Sequence, residues 1–324
     1  MNAKNILPQF PKTLQLCIQY FSDERRCIDF LAAVRWPDGK AVCSNCGDKE
    51  QSYYLANQKR WKCRGCKKQF SVKQGTIFED SPISLAKWFP AVWLICGAKN
   101  GISSCEVARA LGVTQKSAWF MMHRIRLAMT QGSFDKMGGP GSEVEADETF
   151  IGGLSRNMHK DRRAKTITGT GGKGKVAVFG LLERHGGQSK VRAQVIPNRW
   201  KSTLQPIIKE NVEPETLVYT DEHLSYRSLN DEDYFHSFVK HAEYYVDDAV
   251  HTNGIENFWC LLKRGIKGTY VSIEPFHTFR YIDEQAFRFN ERFGDDADRF
   301  ITAMHEVTGK RITYRKLTGK EETV

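Results

Sequence analysis

Two hydrophobic rhythms succeed one another along the chain. Over residues 13–35 the apolar positions (Leu14, Leu16, Ile18 and Phe21, then Ile28, Phe30, Leu31 and Val34) fall at mixed helical spacing, which predicts one or two helices ended by Pro37, Asp38 and Gly39. Between residues 41 and 72 the pattern shortens to strand-like pieces with turns at 44–47 and 64–65. Helical spacing returns over 85–130, broken at Asn100–Gly101 and at Gly112, and glycine and proline then gather in 131–142. Beyond this point strand candidates cover Glu143–Ile151, 175–183, 191–196 and 217–220, with a helix over 202–211, a fifth strand candidate over 238–245, and helices from Asn253 onward. Residues 152–175 are poor in apolar side chains and carry Arg156, Lys160, Arg162, Arg163, Lys165, Lys173 and Lys175, so an exposed basic loop is expected there.

These shifts divide the 324 residues into a helical segment (1–40), a small cysteine-bearing module (41–75), a helical region (76–131), a linker (132–142), a strand-then-helix domain (143–292) and a C-terminal tail (293–324). A hydrophobic fraction of 40% excludes a disordered chain. Lysine and arginine number 48 against 38 acids, and the net charge of +10 suits a polyanion, although a solvated basic surface would give the same count. No stretch of 18 consecutive apolar residues occurs, so no membrane partner is expected. The first residues lack the order of a secretory signal, which places the nine cysteines in a reducing cytoplasmic setting where metal binding outranks disulfides.

Four of those cysteines are patterned. Cys43 and Cys46 stand two residues apart, Cys63 and Cys66 likewise, and sixteen residues separate the pairs, the ligand spacing of a zinc ribbon. Four thiolates close a tetrahedron, so this zinc is expected to be structural. Its binding free energy, on the order of 10–16 kcal/mol, would hold together a module too small for a core of its own. Lys59, Arg60, Lys62, Arg64, Lys67 and Lys68 make the module basic. Cys17, Cys27, Cys96, Cys105 and Cys260 show no pairing and read as buried small apolar residues.

Ser103 or Ser104 can cap a helix through Leu111, Gly112 can supply a left-handed turn, and Thr114 can cap a second helix from Gln115 to about Met129. Val107, Ala108 and Leu111 would pack on Ala118, Met121, Met122 and Ile125. That leaves Gln115, Lys116, Ser117, Trp119 and Arg124 to face a DNA groove as in a helix-turn-helix, or to face solvent in an ordinary helical hairpin.

Three acidic positions could carry chemistry. Asp147 lies inside the strand Glu143–Ile151, Asp221 ends the strand candidate that starts at Leu217, and Glu256 lies on a helix beside Asn253 and Asn257, with Lys263 two turns further on. Each also has an ordinary reading: a solvated strand end for Asp147 and Glu148, a helix cap for Asp221, a surface pair with Lys263 or Arg264 for Glu256. Carboxylates about 4 Å apart repel by roughly 4 kcal/mol at an effective dielectric near 20, so a cluster calls for a cation. Oxygen ligands without nearby His or Cys favour magnesium or manganese, and two such ions support phosphodiester chemistry.

The sequence resembles the transposases of bacterial insertion sequences in the DDE superfamily, specifically the ISXO-type branch with an N-terminal zinc ribbon. The resemblance rests on Cys43, Cys46, Cys63 and Cys66, on the run Val144 to Gly153, on Thr220-Asp221, on the run His251 to Trp259, on Leu262 to Gly265 and on Phe289 to Arg292. It implies an α/β catalytic domain with a ribonuclease-H-like mixed sheet flanked by helices, preceded by the zinc ribbon and a helix-turn-helix. It further implies Asp147, Asp221 and Glu256 as ligands of two Mg or Mn ions, Lys263 as the basic residue after them, and an Asn in the third acidic place of some relatives. The partners implied are double-stranded DNA, as terminal inverted repeats and as target, and a homodimer or larger assembly at the bacterial nucleoid. Contacts to DNA are expected from Gln115, Lys116, Ser117, Arg124, Arg162, Arg163, Lys165, Lys263 and Arg264. A zinc-ribbon regulator without catalysis and a ribonuclease-H-like nuclease are the rival expectations.

Overall fold

The computed structural model describes residues 10–130, 135–153, 158–167, 172, 174–221, 224–226, 229, 234–239 and 251–320. Two units emerge, Met1–Thr130 together with Arg292–Val324, and Gln131–Glu291.

The first unit begins with α1 (Leu14–Tyr20) and α2 (Glu24–Arg35), whose starts are set by Thr13 and Asp23 accepting the Leu16 and Arg25 amides. A three-stranded antiparallel sheet follows: β1 (Ser52–Leu55), β2 (Arg60–Cys63) and β3 (Gln69–Phe70). Trp61 on β2 packs edge-on against Trp36, with ring centroids 5.1 Å apart, and Lys59 pairs with Glu24, so the module leans on α2 instead of on a core of its own. The sulfurs of Cys43, Cys46, Cys63 and Cys66 all lie within 4.8 Å of one another. The Cys43–Cys66 and Cys46–Cys63 separations are both 3.7 Å. That is far beyond the ~2.05 Å of a disulfide. It matches the roughly 3.8 Å edge of a tetrahedron whose sulfurs sit about 2.3 Å from one zinc ion.

Next come α3 (Leu85–Gly97), α4 (Ser104–Leu111) and α5 (Gln115–Met129). Ser103 and Glu106 form a capping box at the start of α4, Gly112 ends it at φ 59°, and Thr114 accepts the Ser117 amide to start α5. Val107, Ala108, Ala118, Met121, Met122 and Ile125 are buried between these helices. Gln115 and Lys116 are exposed and Ser117 is half-buried. Arg124 departs from the expectation that it faces a groove: it is buried, and its Nη1 donates to the carbonyls of Ile77 and Glu79, 2.9 and 2.6 Å away. The helical period turns position 124 inward beside Met121 and Ile125, and the two backbone carbonyls take up the charge.

The second unit opens with β4 (Met137–Gly138), which pairs in parallel with β8 (Val212–Glu213) and buries Met137, so part of the stretch expected as a linker belongs to a core. Its main sheet has five strands in the order β10-β9-β5-β6-β7. These are β5 (Glu143–Ile151), β6 (Val176–Arg184), β7 (Lys190–Ile196), β9 (Leu217–Asp221) and β10 (Phe235–Val239). The β5-β6-β7 meander is antiparallel, and β9 and β10 run parallel to β5. Of the fifth strand candidate, residues 240–245 lie outside the described residues. Part of the expected basic loop forms a short helix, α6 (Lys160–Thr166).

Alternation along β6 sorts the two faces. Ala177, Phe179 and Leu181 meet Leu204 and Ile208 of α7 (Lys201–Asn211), whereas Val178 and Leu182 meet Ile255, Phe258, Trp259 and Leu262 of α8 (Asn253–Gly265) and Ile282 and Ala286 of α9 (Thr278–Asn290). Gly180 lies on the second face. A Cβ there would come within 2.6 Å of the Trp259 ring, so the glycine is what lets the indole approach the sheet this closely.

The chain then returns to the first unit. Residues expected as a tail form α10 (Asp296–His305) and α11 (Tyr314–Leu317). Phe300 of α10 is fully buried among Phe10, Phe30, Phe89 and Trp93, with centroids 5.5–6.2 Å away. Cys17, Cys27 and Cys96 are buried as expected, but Cys105 and Cys260 are exposed, because each lies on the outward face of its amphipathic helix.

Chelating the metal should abolish the near-ultraviolet circular dichroism of the Trp36–Trp61 pair as zinc is released, and retention of that signal after complete release would contradict a metal-held module. Gly180→Ala is expected to destabilise the protein by about 1–3 kcal/mol through overpacking against Trp259, measured by urea denaturation.

Candidate active site

The site is assembled from β5, β9 and α8. Register between β5 and β9 runs from Glu143↔Leu217 to Glu145↔Tyr219 and then stops. Asp147 and Asp221 continue that offset two residues past the last pair, where the parting strands leave room for side chains from both. One carboxylate oxygen each from Asp147, Glu148 and Asp221 lies within 4.8 Å of the others.

Burial and mutual repulsion are written into these groups. Asp147 is pushed up to about 6, first by burial and then by the charges of Asp221 and Glu256, while the Trp259 Nε1–H bond to its Oδ2 at 2.9 Å pulls the other way. Glu148 is pushed up to about 7 by burial and by Asp221, while the Tyr226 hydroxyl beside it pulls the other way. Three carboxylates with an oxygen each within 4.8 Å of the others are the donor set of a hard divalent cation, and these residues fit one. Sequence reasoning named Asp147 and Asp221. It took Glu148 with Asp147 as a solvated strand end in the ordinary reading, and the burial of that strand by both neighbours is what removes the solvent.

Glu256 stands in the first turn of α8 and is not one of the close trio; its Oε1 accepts from Thr252 Oγ1 at 3.0 Å. Its charge nonetheless acts on Asp147, so it faces the same site. Lys263 is half-buried further along α8, and Arg264 and Arg163 are exposed. The side chains of Arg162 and Lys165 lie outside the described residues.

A residue that sequence reasoning missed sets the helix in place. Glu145 is 1% exposed, and its Oε2 accepts the Ile255 amide at 2.8 Å, satisfying a free N–H at the start of α8. Its Oε1 accepts from Arg184 Nε at 2.6 Å. The same guanidinium reaches Glu143 Oε2 at 2.9 Å and the His251 carbonyl at 2.5 Å, tying β5, β6 and the lead-in to α8 together. Gly254 keeps the approach open, since a Cβ there would lie 2.9 Å from Glu145 Oε2. The signal was present in the sequence: Glu145 and Asp147 alternate with Val144 and Ala146, so both acids belong to one face of β5.

The chain is similar to known transposase proteins. Residues 137–290 match the ISXO2-like transposase domain and residues 22–69 a transposase zinc-ribbon domain. An uncharacterized protein in transposable element ISH50 of Halobacterium salinarum is 27% identical over 259 residues, covering 76% of this chain and 84% of that protein. An uncharacterized transposase-like protein of Haemophilus influenzae is 37% identical over 101 residues, covering 31% of this chain and 81% of its own length. Among solved structures, a simian T-cell lymphotropic virus intasome in complex with PP2A regulatory subunit B56 gamma shares 12% identity over 54% of this chain and 62% of that chain, at a TM-score of 0.25. With its sheet domain and its cysteine module both matched, the chain belongs to the ISXO2-like transposase family.

Proposed function

We propose that this protein cuts and joins DNA strands at the ends of an insertion sequence, using Asp147, Asp221 and Glu256 to hold two Mg or Mn ions. The observation that carries the reading is the convergence of Asp147, Glu148 and Asp221 from separate strands, with Glu256 brought to Asp147 by α8. The strand order, with β5 central, an antiparallel meander on one side and parallel strands on the other, supports a ribonuclease-H-like reading of the domain. When bound, the ions would supply an activated attacking oxygen and charge stabilisation at the leaving one. The protein's own part is positional. Trp259 fixes one oxygen of Asp147, the Glu145–Arg184 pair holds the start of α8, and Lys263 offers an ammonium group to a phosphate two turns from Glu256.

The zinc ribbon and the α4–α5 hairpin are assigned to recognition of the terminal inverted repeats, with Gln115, Lys116 and Ser117 toward the groove. Arg124 is withdrawn from that surface by its carbonyl bonds. Two ends must be joined, so a dimer or larger assembly on DNA is part of the proposal.

The deciding experiment incubates the protein with Mg²⁺ and a duplex carrying the inverted repeat that borders its coding sequence. Strand cleavage and joining of the new 3′-end to a second duplex are expected, and Asp147→Asn should lower both by at least about 1,000-fold. Cleavage without joining would favour a nuclease, and binding indifferent to Asp147→Asn with no cleavage would favour a regulator. A second expectation follows from protonation. Asp147 and Glu148 carry raised pKa values, so in the metal-free site each favours the folded state while protonated, and that contribution is lost as pH rises through about 6 and 7. Divalent ligation needs the ionised forms, so the rise in Tm on adding Mn²⁺ to zinc-loaded protein should be larger at about pH 7.5 than at about pH 5.5. An equal rise at both would contradict binding at these acids.

A further inference from the structure

Residues 307–320 hold five basic side chains, Lys310, Arg311, Arg315, Lys316 and Lys320, and no acid. Two of the five are spent inside the first unit. Lys310 Nζ donates to the Thr130 carbonyl at 2.9 Å, at the C-terminal end of α5, and pairs with Glu306 at 3.0 Å. Arg311 pairs with Glu79 at 3.2 Å and with Asp80 at 2.5 Å. From there the chain runs back along α5 to its first turns, where the Tyr314 ring meets Phe120 with centroids 5.6 Å apart and lies 4.9 Å from the Lys116 ammonium. A segment expected as a tail is thus laid against the helix assigned to the DNA groove.

Ile312 and Leu317 are buried and anchor the inner side of this segment. Arg315, Lys316 and Lys320 are exposed, and none has an ion-pair partner among the described residues. Gly319, at φ 67°, turns the chain so that the Lys320 amide donates to the Arg315 carbonyl at 2.9 Å, which folds the third cation back beside the first. With Lys116 they make four cations gathered about Tyr314, none held by a carboxylate. Like charges collected in this way repel one another, and a brace for α5 needs none of them, because Ile312, Tyr314 and Leu317 already supply the apolar contact. The arrangement suits a polyanion with closely spaced phosphates.

We propose that α11 is the second half of the surface that reads the terminal repeat: held on the first turns of α5 by Tyr314, it grips the duplex phosphates flanking the base pairs met by Gln115 and Lys116. The inference rests on the assignment of the α4–α5 hairpin to the inverted repeats and adds to it an element nearly two hundred residues away in the chain. The two halves divide the work. Phosphate contacts from Arg315, Lys316 and Lys320 fix how α5 sits in the groove and carry no sequence information, whereas discrimination between sequences stays with Gln115 and its neighbours. Since part of the surface is encoded after the sheet domain, recognition of the element's ends belongs to the complete chain and not to its N-terminal region alone.

The test follows binding of zinc-loaded, full-length protein to a fluorescent duplex carrying the inverted repeat, and to a scrambled duplex, by anisotropy between about 50 and 200 mM salt. Arg315→Gln, Lys316→Gln and Lys320→Gln combined are expected to make the slope of log Kd against log salt shallower by about 2.7, about 0.9 for each phosphate released, and to weaken both duplexes by the same factor. Gln115→Ala should instead narrow the difference between the two duplexes and keep the slope. Tyr314→Ala, which retains every charge but frees α11 from α5, should also lower the slope, and Tyr314→Phe should not. The exchange Arg315→Lys with Lys316→Arg should bind with the wild-type slope, an outcome that a role in packing alone does not give. A triple glutamine variant with wild-type slope and affinity overturns the proposal, and strand transfer by that variant leaves the strand-transfer reading standing. A slope lost as expected, in a protein that binds the repeat but performs no metal-dependent cleavage, keeps the proposal and removes the strand-transfer reading. Failure of the wild-type protein to bind either duplex overturns both.

Discussion

One buried carboxylate organises the second unit. Glu145 has no water to solvate it, and its two oxygens are spent on the Arg184 guanidinium and on the first free amide of α8 that it can reach. Such a pair is costly to desolvate, and removing one partner typically costs about 3–5 kcal/mol because the other charge is left stranded. The arrangement is therefore stable only when the helix start, the central strand and β6 are in register together. The salt bridge fixes Glu145 against β6, and the second oxygen of the same carboxylate fixes the start of α8. What α8 brings to the site, Trp259 against Asp147 and Glu256 toward the acids, is positioned by this contact together with the apolar packing of Ile255, Phe258 and Leu262.

Much of the fold was legible because the periodicities are clean. The run Glu143–Asp147 alternates polar and apolar, and the observed strand has the limits expected, Glu143–Ile151; the helix expected over 202–211 begins one residue earlier, at Lys201. The paired cysteines specified their own cluster, since two-residue spacers leave the thiols few other places to go. What stayed hidden depends on contacts between residues far apart in sequence. Arg184 reads as a strand-end charge until α8 is laid beside it, Arg124 reads as a surface base until the carbonyls of Ile77 and Glu79 are found behind it, and Gly180 reads as a weak spot in a strand until Trp259 is seen to need the space. Charge patterns along a chain locate acids and bases but not which of them the fold encloses.

The acids themselves illustrate the same limit from the other side. Asp147 and Asp221 could be paired in advance because strand-borne acids invite it. Glu148 could not, because adjacent positions on a regular strand face opposite ways. Its oxygen approaches the others only where β9 has separated from β5, a detail of where a ladder ends. A site built at such a fork has side chains from both strands within reach of one another while the backbone behind them remains fully paired.

Phe300 introduces an order in time. The aromatic core that unites α1, α2 and α3 is closed by a ring from α10, encoded after the entire sheet domain. During synthesis the leading helices and the cysteine module leave the ribosome with that cavity open, and they must wait for some two hundred intervening residues before it is filled. The later-encoded sheet domain can thus complete its packing first, and a nascent chain interrupted anywhere before α10 would expose an unsealed aromatic surface to the cell's folding and disposal machinery.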